Sequence, residues 1–175
     1  LEFECETAGV DISGKTPELS EVTLNVSNPI TVNGTTGATV NATAASVQST
    51  NLTSMVNWTV APANSGVSIG NAGVITVAKN AKAGEYTITA TGDDTTATGS
   101  ANATLNVERA AEQYTVEVTP AAAELTIPVG EAKAETTYRA AVTNQYGETV
   151  KDPTVEWSLS EKATGVSIDN AGKVT

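Results

Sequence analysis

One long segment of this chain occurs twice. Residues 56–76 read VNWTVAPANSGVSIGNAGVIT, and residues 155–175 read VEWSLSEKATGVSIDNAGKVT. The two copies align without a gap at an offset of 99 positions, which matches Trp58 with Trp157 and Gly73 with Gly172. Because domains commonly contain roughly 100–150 residues, a repeat of this kind within 175 residues predicts two similar domains in tandem.

Alternation of apolar with polar residues runs through most of the first copy. Val22 and Leu24 alternate with Thr and Asn, and Tyr86 and Ile88 do the same further on. This period of two predicts short, half-buried strands, and Gly- and Asn-containing turns separate them. The pattern predicts an all-β fold of two tandem immunoglobulin-like β-sandwiches. The second is expected to be incomplete at its C-terminus, because no counterparts of EYTITATG and ANATLNV follow its hairpin.

The domain boundaries follow from the repeat and from the short polar run ERAAEQ. We expect an N-terminal segment at 1–17, which is either a cloning scar or a strand of a preceding repeat. The first sandwich then covers 18–107, the linker covers 108–113, and the second sandwich covers 114–175.

The two tryptophans are the natural centres of the predicted cores. Each lies mid-strand between apolar residues, as the buried indole of an immunoglobulin-like sandwich does. A sugar-stacking platform is the alternative, but aromatic residues make up only 4% of the chain. The residues predicted to form the cores are Trp58, Trp157, Val56, Val155, Ile69, Ile168, Tyr86 and Leu105.

Acidic residues in turns and in the linker are the only candidate metal ligands. Calcium prefers carboxylate and carbonyl oxygens, so it is the one cofactor that such residues could hold. The segments GVSIGNAGVIT and GVSIDNAGKVT nevertheless predict tight hairpins with Asn or Gly at positive φ, and neither has the repeated carboxylates of a calcium loop. Solvated turns are therefore the favoured interpretation, and no cofactor is required. The calcium candidates are Asp93, Asp94, Glu108, Glu112 and Asp169.

The chain contains few residues of the types that enzymes use for catalysis. The chain has no histidine, and its single cysteine, Cys5, therefore has no imidazole to activate it. A formal charge of −11 disfavours nucleic acid and anionic membrane surfaces as partners. We expect a protein that is not an enzyme. Six Asn-X-Ser/Thr sites all lie in the first copy, and alternation points four of them outward, at Asn25, Asn41, Asn57 and Asn102.

The repeated segment resembles bacterial immunoglobulin-like domains of the group 2 type, in which a tryptophan strand leads to GVxIxxxGxVT and then to AGxYTITA. VTNQYGETVKDPTVEW, residues 142–157, is similar to the connection before that strand in modules of surface-layer and cell-wall proteins. The resemblance implies an exported, non-catalytic structural or spacer module at the bacterial cell surface. Its partners would be neighbouring repeats, cell-wall glycan, a host protein or lattice copies of itself. The alternatives are an adhesin, a carbohydrate-binding module of a secreted enzyme, and a phage-particle decoration domain.

Overall fold

The computed structural model describes residues 15–47, 51–161 and 163–175. The prediction of an all-β fold is confirmed, since every regular element in these ranges is a strand. The predicted N-terminal segment lies mostly outside the described residues, as does Cys5. Contacts divide the chain into two compact units. The first ends at Glu108, and the second comprises Asn33–Thr36 and Arg109–Thr175.

Eight strands build the first unit, and they form two four-stranded sheets with the orders β1-β3-β6-β5 and β2-β8-β7-β4. Relabelled A to G with β2 as an extra strand, these are the ABED and CFG sheets of an immunoglobulin sandwich. The strands are β1 (Leu19–Asn25), β2 (Ile30–Val32), β3 (Ala38–Ser46), β4 (Asn57–Ala61), β5 (Val67–Ile69), β6 (Val74–Val77), β7 (Gly84–Thr91) and β8 (Ser100–Arg109).

Alternation explains which side of each strand faces the core. In β3, Val40, Ala42 and Ala44 are buried, while Asn41 and Thr43 between them are exposed. Successive residues of a strand point to opposite faces, so one face of each sheet is apolar and the other stays in water. The four asparagines expected to point outward are all exposed.

Two aromatic residues tie the sandwich of the first unit together. Trp58 on β4 is buried, and its indole Nε1 donates a hydrogen bond to the Thr53 carbonyl at 2.9 Å. Tyr86, near the start of β7, is buried and donates its hydroxyl proton to the carbonyl of Lys82, 2.8 Å away. This bond, four residues back along the chain, is the tyrosine corner of immunoglobulin-like folds. Val56 and Leu105 are also buried, whereas Ile69 on the edge strand β5 is half-buried.

Four shorter strands form the second unit: β9 (Tyr114–Thr119), β10 (Thr136–Thr137), β11 (Arg139–Asn144) and β12 (Lys173–Val174). Strand β9 pairs with β11, and β10 pairs with β12. The pairings repeat those of the first unit with the same register. Glu21 opposite Ala45 and Val22 opposite Ala44 become, 96 positions later, Glu117 opposite Ala141 and Val118 opposite Ala140.

The duplicated hairpin also keeps its pairing. Ile69 lies opposite Ile75 in the first unit, and Ile168 lies opposite Val174 in the second. In each turn the left-handed position falls on a glycine, Gly73 (φ 74°) or Gly172 (φ 76°), rather than on the asparagine two residues before it. A Cβ on Gly73 would lie 2.4 Å from the Ala42 carbonyl oxygen, so this backbone approach requires glycine.

The predicted core of the second unit differs from the observed packing. Val155, Trp157 and Ile168 are only half-buried. In the first unit, β7 pairs with the tryptophan strand β4 and helps to close the core. Among residues 109–161 and 163–175, no strand pairs with the segment that carries Trp157. The indole therefore lacks the neighbouring strand that helps to bury Trp58 in the first unit.

Candidate functional site

The densest side-chain network of the second unit is built on the turn that follows β11. Asn144 closes this turn: its Oδ1 accepts hydrogen bonds from the backbone N–H groups of Tyr146 and Glu148, both at 3.0 Å. Gly147 takes the left-handed conformation, with φ of 82°. The Asn144 side chain is buried and its polar atoms are satisfied, so the turn holds a defined shape.

Side chains from this turn bind the extended segment Arg109–Gln113. Gln145 accepts a hydrogen bond from the Gln113 N–H at 2.7 Å and donates one to the Ala111 carbonyl at 2.9 Å. The Tyr146 hydroxyl donates to the Ala110 carbonyl at 2.9 Å. We call the set of residues 144–148 and their contacts to 109–113 the turn clamp.

Arg109 forms the charged end of the turn clamp. Its Nη1 lies 3.0 and 2.9 Å from the two carboxylate oxygens of Glu148, and its guanidinium carbon is 4.3 Å from the centroid of the Tyr146 ring. A solvent-exposed ion pair stabilises by about 0.2–1 kcal/mol, and a cation over an aromatic face adds about 0.5–1 kcal/mol at an exposed site. The ion pair therefore fixes the position of the Arg109 side chain and contributes only little to the free energy of folding.

Glu112 completes the network. It accepts a hydrogen bond from the Tyr114 hydroxyl, and its other oxygen lies 3.4 Å from the amide nitrogen of Asn144. The Glu112 carboxylate raises the pKa of the Tyr114 hydroxyl, because the hydrogen bond stabilises the protonated phenol. Glu112, predicted as a calcium candidate, thus binds neighbouring side chains of its own unit.

Sequence reasoning missed the turn clamp. An adhesin or carbohydrate-binding module would need an exposed aromatic or polar cluster in its loops, for which the sequence offers Tyr146 with Asn144 and Gln145. In the structure, Tyr146 is buried and all three side chains contact their own unit. The motif NQYGE did give a signal for the turn, but nothing local indicates that its partner is a segment 32 to 39 residues earlier.

Asp93 and Asp94, two further calcium candidates, lie in the turn between β7 and β8. Oδ1 of Asp93 accepts hydrogen bonds from the N–H groups of Thr95 and Thr96 and from the Thr96 hydroxyl, all within 2.9 Å. These donors, the Thr96 N–H foremost, hold the pKa of the Asp93 carboxyl far below its usual range. Oδ1 of Asp93 is therefore used to stabilise the turn. Asp94 adopts a positive φ of 64° in the same turn.

Asp169 has the same role in the hairpin of the second unit. Its Oδ1 accepts hydrogen bonds from the N–H groups of Ala171 and Lys173, both at 2.9 Å. Glu108 is exposed at the end of the first unit. Within the described ranges, no three acidic, cysteine or histidine side chains cluster closely enough to hold a metal ion. The calcium candidates therefore do not gather into such a cluster in the described part of the chain.

A small ion-pair group lies beside β10 and β12. Glu135 accepts from Lys133 at 2.5 Å with one oxygen and from Lys173 at 2.6 Å with the other. The two ammonium groups lower the pKa of the Glu135 carboxyl, and Glu135 in turn raises the pKa of Lys173. All three groups lie at the surface. The pair of Glu135 with Lys173 links the residue before β10 to β12.

Comparison with known proteins gives no family. No family model matches the chain, and no curated protein matches it. Among solved structures, domains 4–9 of the surface layer protein SbsC align over 91% of this chain and 26% of that chain, at 18% identity and a TM-score of 0.37. Domains 5–6 of SbsC align over 91% of this chain and 83% of that chain, also at 18% identity and a TM-score of 0.37.

Extracellular domains 3–5 of Drosophila OTK align over 89% of this chain and 52% of that chain, at 12% identity and a TM-score of 0.35. This chain spans about a quarter of the longer SbsC structure. Identities and TM-scores this low do not assign the chain to any of these proteins. The fold is assigned from the strand order described above. The described residues also contain no helix of the length and apolarity that crossing a bilayer requires.

Proposed function

We propose that this chain is a non-catalytic structural module of an exported bacterial cell-surface protein, in which tandem β-units act as spacers. The proposal joins the resemblance of the repeated segment to bacterial immunoglobulin-like domains with the way the side chains are used. Asn144, Gln145, Tyr146, Asp93 and Asp169 all hydrogen-bond to backbone groups of their own unit. Such residues maintain a fold and leave few groups for chemistry on a substrate.

The observation that carries the proposal is the turn clamp. A spacer requires that the chain entering a module be ordered, because each free residue gains about 1–2 kcal/mol of backbone conformational entropy that favours mobility. The clamp fixes Arg109, Ala110, Ala111 and Gln113 by separate contacts from three side chains. A flexible tether would leave these residues without such contacts.

Backbone NMR relaxation tests this role directly. In the intact chain we expect residues 109–113 to have order parameters near 0.85, the value of rigid backbone. The Gln145→Ala variant removes two of the contacts, so the order parameters of residues 111–113 should fall towards those of a flexible loop. Glu124→Gln, an exposed change away from the clamp, is the matched control and should leave them unaltered. Wild-type values below about 0.6 at 109–113 would contradict the spacer role.

Cell-surface placement needs a separate experiment. Antibodies raised against the chain should label intact, unpermeabilised cells of the organism that encodes it. Labelling only after permeabilisation would overturn the placement. Calorimetric melting with and without a chelator then tests a calcium-ordered lattice, which predicts a higher melting temperature when calcium is present.

A further inference from the structure

The turn between β2 and β3 contains the one Asn-Gly pair of the sequence, Asn33-Gly34. At such a pair the backbone nitrogen of the second residue can attack the side-chain amide carbon of the asparagine, and glycine has no Cβ to obstruct that approach. Every other asparagine of the chain is followed by a residue that carries a side chain. The sequence therefore singles out Asn33 as the asparagine most open to this reaction.

The turn holds the side-chain oxygen of Asn33 with four hydrogen-bond donors. Oδ1 accepts from the backbone N–H groups of Thr35 and Thr36, both at 3.0 Å. It also accepts from the Thr35 hydroxyl at 2.8 Å and from the Thr36 hydroxyl at 3.3 Å. Donors in these positions stabilise the negative charge that develops on Oδ1 when a nucleophile adds to the amide carbon. The amide carbonyl is thus polarised for attack.

The nucleophile and the leaving group of this reaction are not held by hydrogen bonds. Asn33 is exposed, and its side chain bonds through Oδ1 alone. Among residues 15–47, 51–161 and 163–175, neither Nδ2 of Asn33 nor the Gly34 N–H has a hydrogen-bond partner. Gly34 adopts the left-handed conformation, with φ of 81°. The turn therefore activates the carbonyl and leaves both nitrogens available.

We propose that Asn33 is a site of spontaneous intramolecular deamidation. The Gly34 nitrogen forms a bond to Cγ of Asn33 and gives up its proton. The Cγ–Nδ2 bond breaks, and Nδ2 leaves with that proton as ammonia. One water molecule then opens the resulting succinimide ring at either of its carbonyl carbons, which yields aspartate or isoaspartate. The product has one more negative charge than the original chain, and isoaspartate adds a methylene to the backbone of the turn.

Peptide mapping of the intact chain by mass spectrometry, after incubation at neutral pH, tests this site. Deamidation raises the mass of a peptide by about one dalton. We expect Asn33 to convert several-fold faster than Asn71, an exposed hairpin asparagine that Ala72 follows. The linear peptide ITVNGTTGAT, residues 30–39, contains the same pair without the folded turn. The intact chain should convert at least as fast as this peptide, because the four donors are in place before the attack.

A pair of threonine variants tests the contribution of the turn. Thr35→Val removes one hydroxyl donor and should slow conversion at Asn33 by about three- to ten-fold, the effect of losing one hydrogen bond. Thr39→Val is the matched control, since Thr39 is exposed on β3 outside the turn, and it should leave the rate unchanged.

Three results would overturn the proposal. The first is conversion at Asn33 no faster than at Asn71. The second is a slower rate in the intact chain than in the linear peptide, because the turn would then protect Asn33. The third is the same rate in Thr35→Val as in Thr39→Val, which would mean that the hydroxyl donor does not assist the attack.

Discussion

The two units share two strand pairings in the same register, and they differ in how far the apolar residues of those strands are covered. In the first unit a second sheet of four strands lies opposite, and Trp58, Tyr86 and Leu105 are buried between the layers. In the second unit Trp157 and its neighbours are half-buried. Strand pairing can therefore persist where the core is only partly closed, because ladder hydrogen bonds depend on register, whereas burial depends on the strands that lie beside and opposite a residue.

Truncation of the two tryptophans should separate the units most strongly. Trp58→Ala removes a fully packed indole and should lower the free energy of unfolding of the first unit by about 3–5 kcal/mol. Trp157→Ala should cost clearly less, because part of its ring already contacts water. Urea denaturation followed by residue-resolved NMR measures each unit separately. Equal losses would mean that the second unit has a closed core after all.

The hairpin glycine should give the next largest effect. Gly73→Ala forces an L residue into positive φ and places its Cβ 2.4 Å from the Ala42 carbonyl, so we expect a loss of about 2 kcal/mol or more. Gly172→Ala meets the same obstacle 2.5 Å from the Tyr138 carbonyl. Gly70→Ala is the control, since its Cβ would meet nothing closer than 3.9 Å. A similar melting temperature for Gly70→Ala and Gly73→Ala would refute the explanation.

Removal of the tyrosine corner should act on the first unit alone. Tyr86→Phe keeps the buried ring and removes the hydroxyl that donates to the Lys82 carbonyl. We expect a loss of about 1–2 kcal/mol, because the carbonyl is left without this donor. Thermal melting with unit-specific NMR signals checks it. Loss of order at β9 and β11, with β7 intact, would contradict a role confined to the corner.

The smallest effect should be a change in acid sensitivity. The pKa of Asp93 is lower in the folded chain than in the unfolded one, so its contribution is present above about pH 4 and is lost as the pH falls further. Asp93→Asn keeps the turn acceptor but cannot titrate, and it should reduce the drop in melting temperature of the first unit between pH 7 and pH 3. Asp94→Asn is the control. An unchanged drop in Asp93→Asn would show that Asp93 does not titrate during unfolding.

Local patterns were sufficient for the elements of the fold. The alternation in β1 and β7 predicted strands and their buried faces, and the repeated GVSI segments predicted hairpins. These features depend on residues two to five positions apart, which is the range over which a sequence pattern carries direct physical information. The left-handed turn position was harder to place, because Asn and Gly both tolerate it and only the close approach of Ala42 selects Gly73.

Contacts between distant segments were beyond the reach of those patterns. Alternation makes Trp58 and Trp157 equally good core residues, yet only the first has a strand of the β7 kind beside it. The same is true of Tyr146, whose hydroxyl could have faced water or a ligand and instead binds the Ala110 carbonyl. Periodicity specifies which side of a strand is apolar. Only the assembled layers decide whether that side is covered, because burial requires a second surface from elsewhere in space.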